Sequence, residues 1–121
     1  MADMTKITPN TLINAARVKG TSVYNAQGDK LGMIDDIMLD KASGRAIYAI
    51  MSFGGFLGIG EKYHPIPWSA LNYDADKGGY VVGLEKKMLE GAPTYGRDED
   101  FRWTSDYGRR VDRYYNAPTY W

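Results

Sequence analysis

Cysteine is absent from the 121 residues, which excludes a disulfide framework, a thiolate metal site and a cysteine nucleophile. Histidine occurs once, at His64, so catalysis or metal binding built on several imidazoles lacks its parts. No run of about 18 apolar residues is present to cross a bilayer. The opening MADMTKITPNTLINAARVKG has no apolar signal-peptide core, and a cytoplasmic protein is the expectation. Charge of one sign is also lacking, with Lys+Arg and Asp+Glu at 15 each. The balance holds regionally: three bases and one acid in 1–19, five and seven in 20–84, seven and seven in 85–121. An arm that binds nucleic acid would be lopsided, so nucleic acid is not an expected partner. No catalytic residue, metal or cofactor is assigned, and the expectation is a protein that is not an enzyme.

What is present is a chain long enough for one domain with its own core. It is organised around 46–71, AIYAIMSFGGFLGIGEKYHPIPWSAL, two strand-like runs about a glycine-rich hinge. Residues 46–53 alternate with both parities apolar, the pattern of a central strand covered on both sides. In 62–67, Pro65 and Pro67 each remove a ladder donor and predict an edge strand or one that leaves the ladder early. Trp68 to Leu71 predicts one helical turn, with Trp68 and Leu71 closing the end of the core.

Upstream, 21–24 is β-branched and aromatic, and Gln27-Gly28-Asp29 supplies a turn. Along 30–40 the alternation breaks: Gly32 and Ile34 share one parity, Ile37 and Leu39 the other. If all four point inward, one extra residue lies near Asp35-Asp36, a β-bulge within Ile34 to Ile37. Lys41 to Gly44 then turns a hairpin with Gly44 suited to positive φ. Residues 71–74 and 79–84 predict a last hairpin, and 86–91 a brief helix ending on glycine. At the front, 9–17 predicts a short helix that packs Leu12 and Ile13 at the end of the core.

Together, Val23-Tyr24, Gly28-Asp29-Lys30-Leu31-Gly32, Ile34-Asp35-Asp36-Ile37, Asp40, Gly44 and GGFLGIGEKYHPIPWSAL resemble the PRC-barrel family over about residues 16–84. That family takes in the cytoplasmic domain of the photosynthetic reaction centre H subunit and the C-terminal domain of a ribosome-maturation factor. The resemblance implies a mainly β protein, a small antiparallel barrel of about six strands with short helices. The reaction-centre subunit's membrane helix and the ribosome factor's second barrel have no counterpart here, so a stand-alone bacterial member is expected. The family offers no catalytic motif to carry over. Expected boundaries are a lead-in over 1–19, the barrel over 20–92 and an aromatic extension over 93–121.

Polar candidates are weighed against simpler roles. The glycines of 54–60 match no phosphate-loop spacing and lack a following helix. His64 reads as a neutral edge-strand histidine. Asp35, Asp36 and Asp40 could relay protons, as the reaction-centre likeness suggests, or bind a hard cation, but solvated acids about a bulge are the expectation. The extension carries eight of the sixteen aromatics, with Phe101, Trp103, Tyr107, Val111 and Tyr114 near helical spacing. Its arginines 109, 110 and 113 sit beside Asp106 and Asp112, close enough for local ion pairs. So many aromatics predict a bound tail, on its own barrel or on a second copy, with a homodimer favoured. Candidate partner contacts are Phe56, Leu57 and Ile59 on the hinge, and Tyr107, Arg110, Tyr114, Tyr115, Tyr120 and Trp121 in the extension. The expected function is a protein-interaction or assembly module whose partner the sequence does not name. The alternatives are an RNA- or ribosome-assembly factor, or a peripheral accessory of a membrane electron-transfer complex.

Overall fold

The computed structural model describes residues 12–53, 62–96 and 101–121. The strands are β1 Ser22–Tyr24, β2 Lys30–Leu39, β3 Ala46–Phe53, β4 Lys62–Pro67, β5 Leu71–Asp74, β6 Gly79–Val82 and β7 Tyr95–Gly96. Helices α1 Ala15–Val18, α2 Lys86–Leu89 and α3 Ser105–Tyr114 accompany them, and a 3-10 turn spans Trp68–Ala70. The strands form one sheet in the order β5-β6-β1-β2-β3-β4-β7, so β5 and β7 end the described ladder. The expected antiparallel neighbours are found throughout, except that β6 runs parallel to β1, Val23 opposite Tyr80. β2 to β5 lie between these two strands in the chain, so β6 reaches β1 by a crossover rather than a hairpin.

The parity break in β2 is a bulge. Ile34 pairs with Met51 and Asp36 with Ile50, leaving Asp35 as the inserted residue. Ile34 and Ile37 therefore both reach the main core, which also holds Val23, Leu31, Ala49, Met51, Ile66 and Val82. Leu39 does not join them and stays 52% exposed. A second irregularity between Met38 and Leu39 shifts the register at the end of the ladder. At Gly32 a Cβ would run into the Ser52 carbonyl oxygen of β3, so only glycine permits this crossing.

The hairpin from β2 to β3 is closed by Asp40. Its Oδ1 accepts the N–H groups of Ala42 at 2.9 Å and Ser43 at 2.8 Å, and Gly44 takes φ +77°. β4 pairs with β3 along its whole length, whereas β7 meets it only at Lys62 and Tyr63. Pro65 and Pro67 lie two residues apart, so their missing donors fall on one side, beyond where β7 stops. Leu71 is buried, but Trp68 is only partly covered, edge-on to Tyr80 with centroids 5.4 Å apart.

The front of the chain departs from expectation. Leu12 and Ile13 are 86% and 50% exposed, because the four-residue α1 turns only Val18 into the core.

Candidate functional site: the groove beneath the C-terminal strap

β3 is apolar on both faces because both are covered. Ala49 and Met51 face the main core, while Tyr48 and Ile50 meet a second core made with Tyr107 and Val111. The cover comes from the same chain: α3 lies on β3, with Tyr115, Phe101 and Trp103 packed at its margins. The local sequence explains where α3 starts. Thr104 is its N-cap, accepting the Tyr107 N–H at 3.1 Å. Phe101 and Trp103 thus precede the helix instead of joining its stripe, and Tyr115 takes the inward place expected of Tyr114. Phe101 stacks on Tyr95 at 4.1 Å, and Trp103 stacks on Tyr48 at 4.8 Å.

Asp112 is the residue that sequence reasoning misplaced. Arg109 does pair with Asp106 at 3.4 Å, but Asp112 turns inward and is 3% exposed. Its Oδ1 accepts the Tyr48 hydroxyl at 2.8 Å, and its Oδ2 accepts the Tyr120 N–H at 3.3 Å. The Tyr48 oxygen in turn accepts the Trp121 Nε1–H at 2.8 Å. Burial, reinforced by the Asp112 carboxylate, pushes the Tyr48 phenol well above its ordinary range. A signal was present: 107, 111 and 115 define the inward stripe, and 108 and 112 flank it.

After α3, Asn116 takes a left-handed φ of 54°, which turns the chain back over the helix. The returning strap, 117–121, lays the Trp121 indole directly on Gly108, where a Cβ would fall inside the ring. The Tyr120 hydroxyl donates to Asp40, and that bond, with the Ser43 N–H, holds the Asp40 carboxyl down at about 2. Strap, Trp103 and the end of the β2–β3 hairpin enclose a groove of about 340 Å³ over Met38, Ile47 and Tyr48.

The other candidate contacts fall elsewhere. Tyr107 is 8% exposed and Tyr115 partly buried, both facing their own sheet rather than a partner. Burial pushes the Tyr115 phenol up. Arg110 lies over the Tyr107 ring at 5.5 Å, and Tyr114 donates to the Met88 carbonyl at 2.5 Å. Arg110, Arg113 and Tyr114 line an open cavity of about 570 Å³. Phe56, Leu57 and Ile59 lie outside the described residues. Asp36 accepts the Ile37 N–H at 2.8 Å beside the bulge. His64 is 4% exposed opposite Met51, and burial pulls its imidazole down to about 4. At the far edge, Leu12, Ile13 and Tyr73 surround a cavity of about 1000 Å³ with Tyr80 beneath.

The family model for the PRC-barrel domain matches residues 10–88. The chain belongs to the PRC-barrel family. An uncharacterised protein of Deinococcus radiodurans is 26% identical over 82 residues, 68% of this chain and 29% of that one. A solved structure of RimM from Pseudomonas aeruginosa, described as a 16S ribosomal RNA processing protein, aligns with a TM-score of 0.39 at 18% identity. That alignment covers 66% of this chain and 48% of RimM. The chain thus spans less than half the length of either protein. α3 and the strap lie past the PRC-barrel match, so the second core is formed between the barrel and residues outside it.

Proposed function

We propose that this PRC-barrel chain is a non-enzymatic interaction module that docks onto a protein partner. The observation that carries the reading is the groove at the β5 edge, where large apolar side chains stand exposed beside Asn14 and Arg17. Leu12, Ile13 and Tyr73 are 86%, 50% and 57% exposed around one cavity. Large exposed apolar groups that converge mark interaction surfaces more often than scattered ones do. β5 also leaves one side of its ladder unpaired among the described residues, and a partner strand can add there. A second copy of the chain is one such partner, which keeps the homodimer as a candidate assembly.

Cross-linking in the native cell, with the parent and an Ile13→Asp/Tyr73→Asp variant, tests this. One identified protein recovered repeatedly with the parent and lost with the folded variant supports the reading. Equal recovery with both removes it. RNA binding is a second reading, favoured by Arg110 and Arg113 on one open cavity. It predicts affinity that falls steeply with salt, by a log–log slope of about 0.7–0.9 per phosphate contact.

A further inference from the structure

The groove beneath the strap shares no lining residue with the Leu12–Tyr73 surface and is argued independently of it. We infer that it is a binding site for an alkylated ammonium group, seated among the faces of Trp103, Tyr120 and Trp121 opposite the Asp40 carboxylate.

The walls have the required form. Tyr120 and Trp121 meet as a corner, with ring centroids 5.0 Å apart and planes at 80°. Trp103 lines the same groove, its ring fixed by stacking one face on Tyr48. Among the described residues Trp103 makes no ring contact with Tyr120 or Trp121, and all three line the same groove. The groove, about 340 Å³, is at the small end for ligand sites, and Met38, Leu39, Ala42 and Ile47 line it together with Tyr48, Asp40 and Lys41. Aromatic faces present negative quadrupole to whatever enters, and this favours a cation over a neutral apolar group.

Asp40 decides which cation. Its Oδ1 accepts two backbone N–H groups and its Oδ2 accepts the Tyr120 hydroxyl, so most of its hydrogen-bonding capacity is engaged. Its negative charge remains. A bare ammonium or guanidinium would leave N–H donors unpaired among these rings, which is costly. An alkylated ammonium needs charge compensation and no acceptors, and that is what the groove provides. Lys41 is exposed at the rim and lies over none of the rings among the described residues. Its strongly hydrated head belongs in water.

Ligand-observed proton NMR with tetramethylammonium tests the site, because ring faces move the methyl resonance upfield. The expected result is a saturable upfield shift, with choline binding about tenfold more tightly than its neutral isostere 3,3-dimethylbutan-1-ol. Trp121→Ala should abolish the shift. Asp40→Asn, which removes charge and little shape, should weaken binding about fivefold to tenfold. Circular dichroism checks that both variants fold; should Trp121→Ala fail, the isostere comparison and Asp40→Asn still decide. Equal binding of choline and the isostere overturns the inference, as does the absence of saturation or an unchanged affinity in Asp40→Asn. Parallel titrations with choline and a trimethyllysine peptide then tell a free small molecule from a modified side chain. Tighter binding by either upholds the cation site.

Discussion

Gly108→Ala should destabilise this protein, although alanine is the better helix former. In an exposed helix interior the substitution gains about 0.5–1 kcal/mol from propensity and chain entropy. Here the added Cβ would enter the Trp121 indole, so the ring has to leave. Trp121 is 39% exposed. Covering the larger part of an indole of roughly 250 Å² contributes up to about 4 kcal/mol at 25 cal/mol per Å². The lost bond from Nε1–H to Tyr48 adds about 1 kcal/mol. Freeing the last two residues of the strap returns conformational entropy of about 1 kcal/mol each, which offsets part of this. The net expectation is a loss of about 1–3 kcal/mol. The same change in a Trp121→Ala background meets no indole and should stabilise by about 0.5–1 kcal/mol. Urea unfolding of the four proteins, followed by circular dichroism, gives the coupling directly. Gly108→Ala stabilising both backgrounds would refute the seating of Trp121 on α3.

Tyr48→Phe leaves Asp112 buried without its hydroxyl donor and Trp121 without its acceptor; a loss of about 2–3 kcal/mol in urea unfolding is expected, and a change under 0.5 kcal/mol would speak against the network. His64 titrates at 6.5 when unfolded and at about 4 when folded, so its contribution is complete above pH 6.5 and declines as pH falls towards 4. Between pH 7 and 4.5 the decline amounts to about 2 kcal/mol and should flatten in His64→Leu, as measured by unfolding at those two pH values; a parallel slope in both proteins assigns it elsewhere. Asp40, held at about 2, contributes in a separate window, with its stability lost only as pH falls from 3.8 through 2. Gly32→Ala places a methyl against the Ser52 carbonyl and should cost about 2–3 kcal/mol, whereas an unchanged thermal midpoint would mean that β2 and β3 cross more loosely.

The sequence by itself determined what depends on a few neighbouring residues. Strand parity placed the bulge within Ile34 to Ile37, because side-chain alternation is counted residue by residue, and the sheet register puts it at Asp35. The Lys41 to Gly44 turn, the coverage of both β3 faces and the family likeness were legible for the same reason. Sequence also required that the aromatic extension be packed, since water is a poor solvent for so many rings. It did not say on what. That α3 covers its own β3 was decided by the tertiary structure. So was Asp112's turn inward, away from the arginines beside it in the chain. Tyr48 meets Asp112 across 64 residues, and Tyr120 meets Asp40 across 80. Helical spacing identifies which side of α3 is buried, but the facing strand is chosen by the sheet's register, twist and crossover. The parallel approach of β6 to β1 has the same origin. Neither has a local hydrogen bond or a fixed spacing to announce it, so both exist only once the whole sheet has formed.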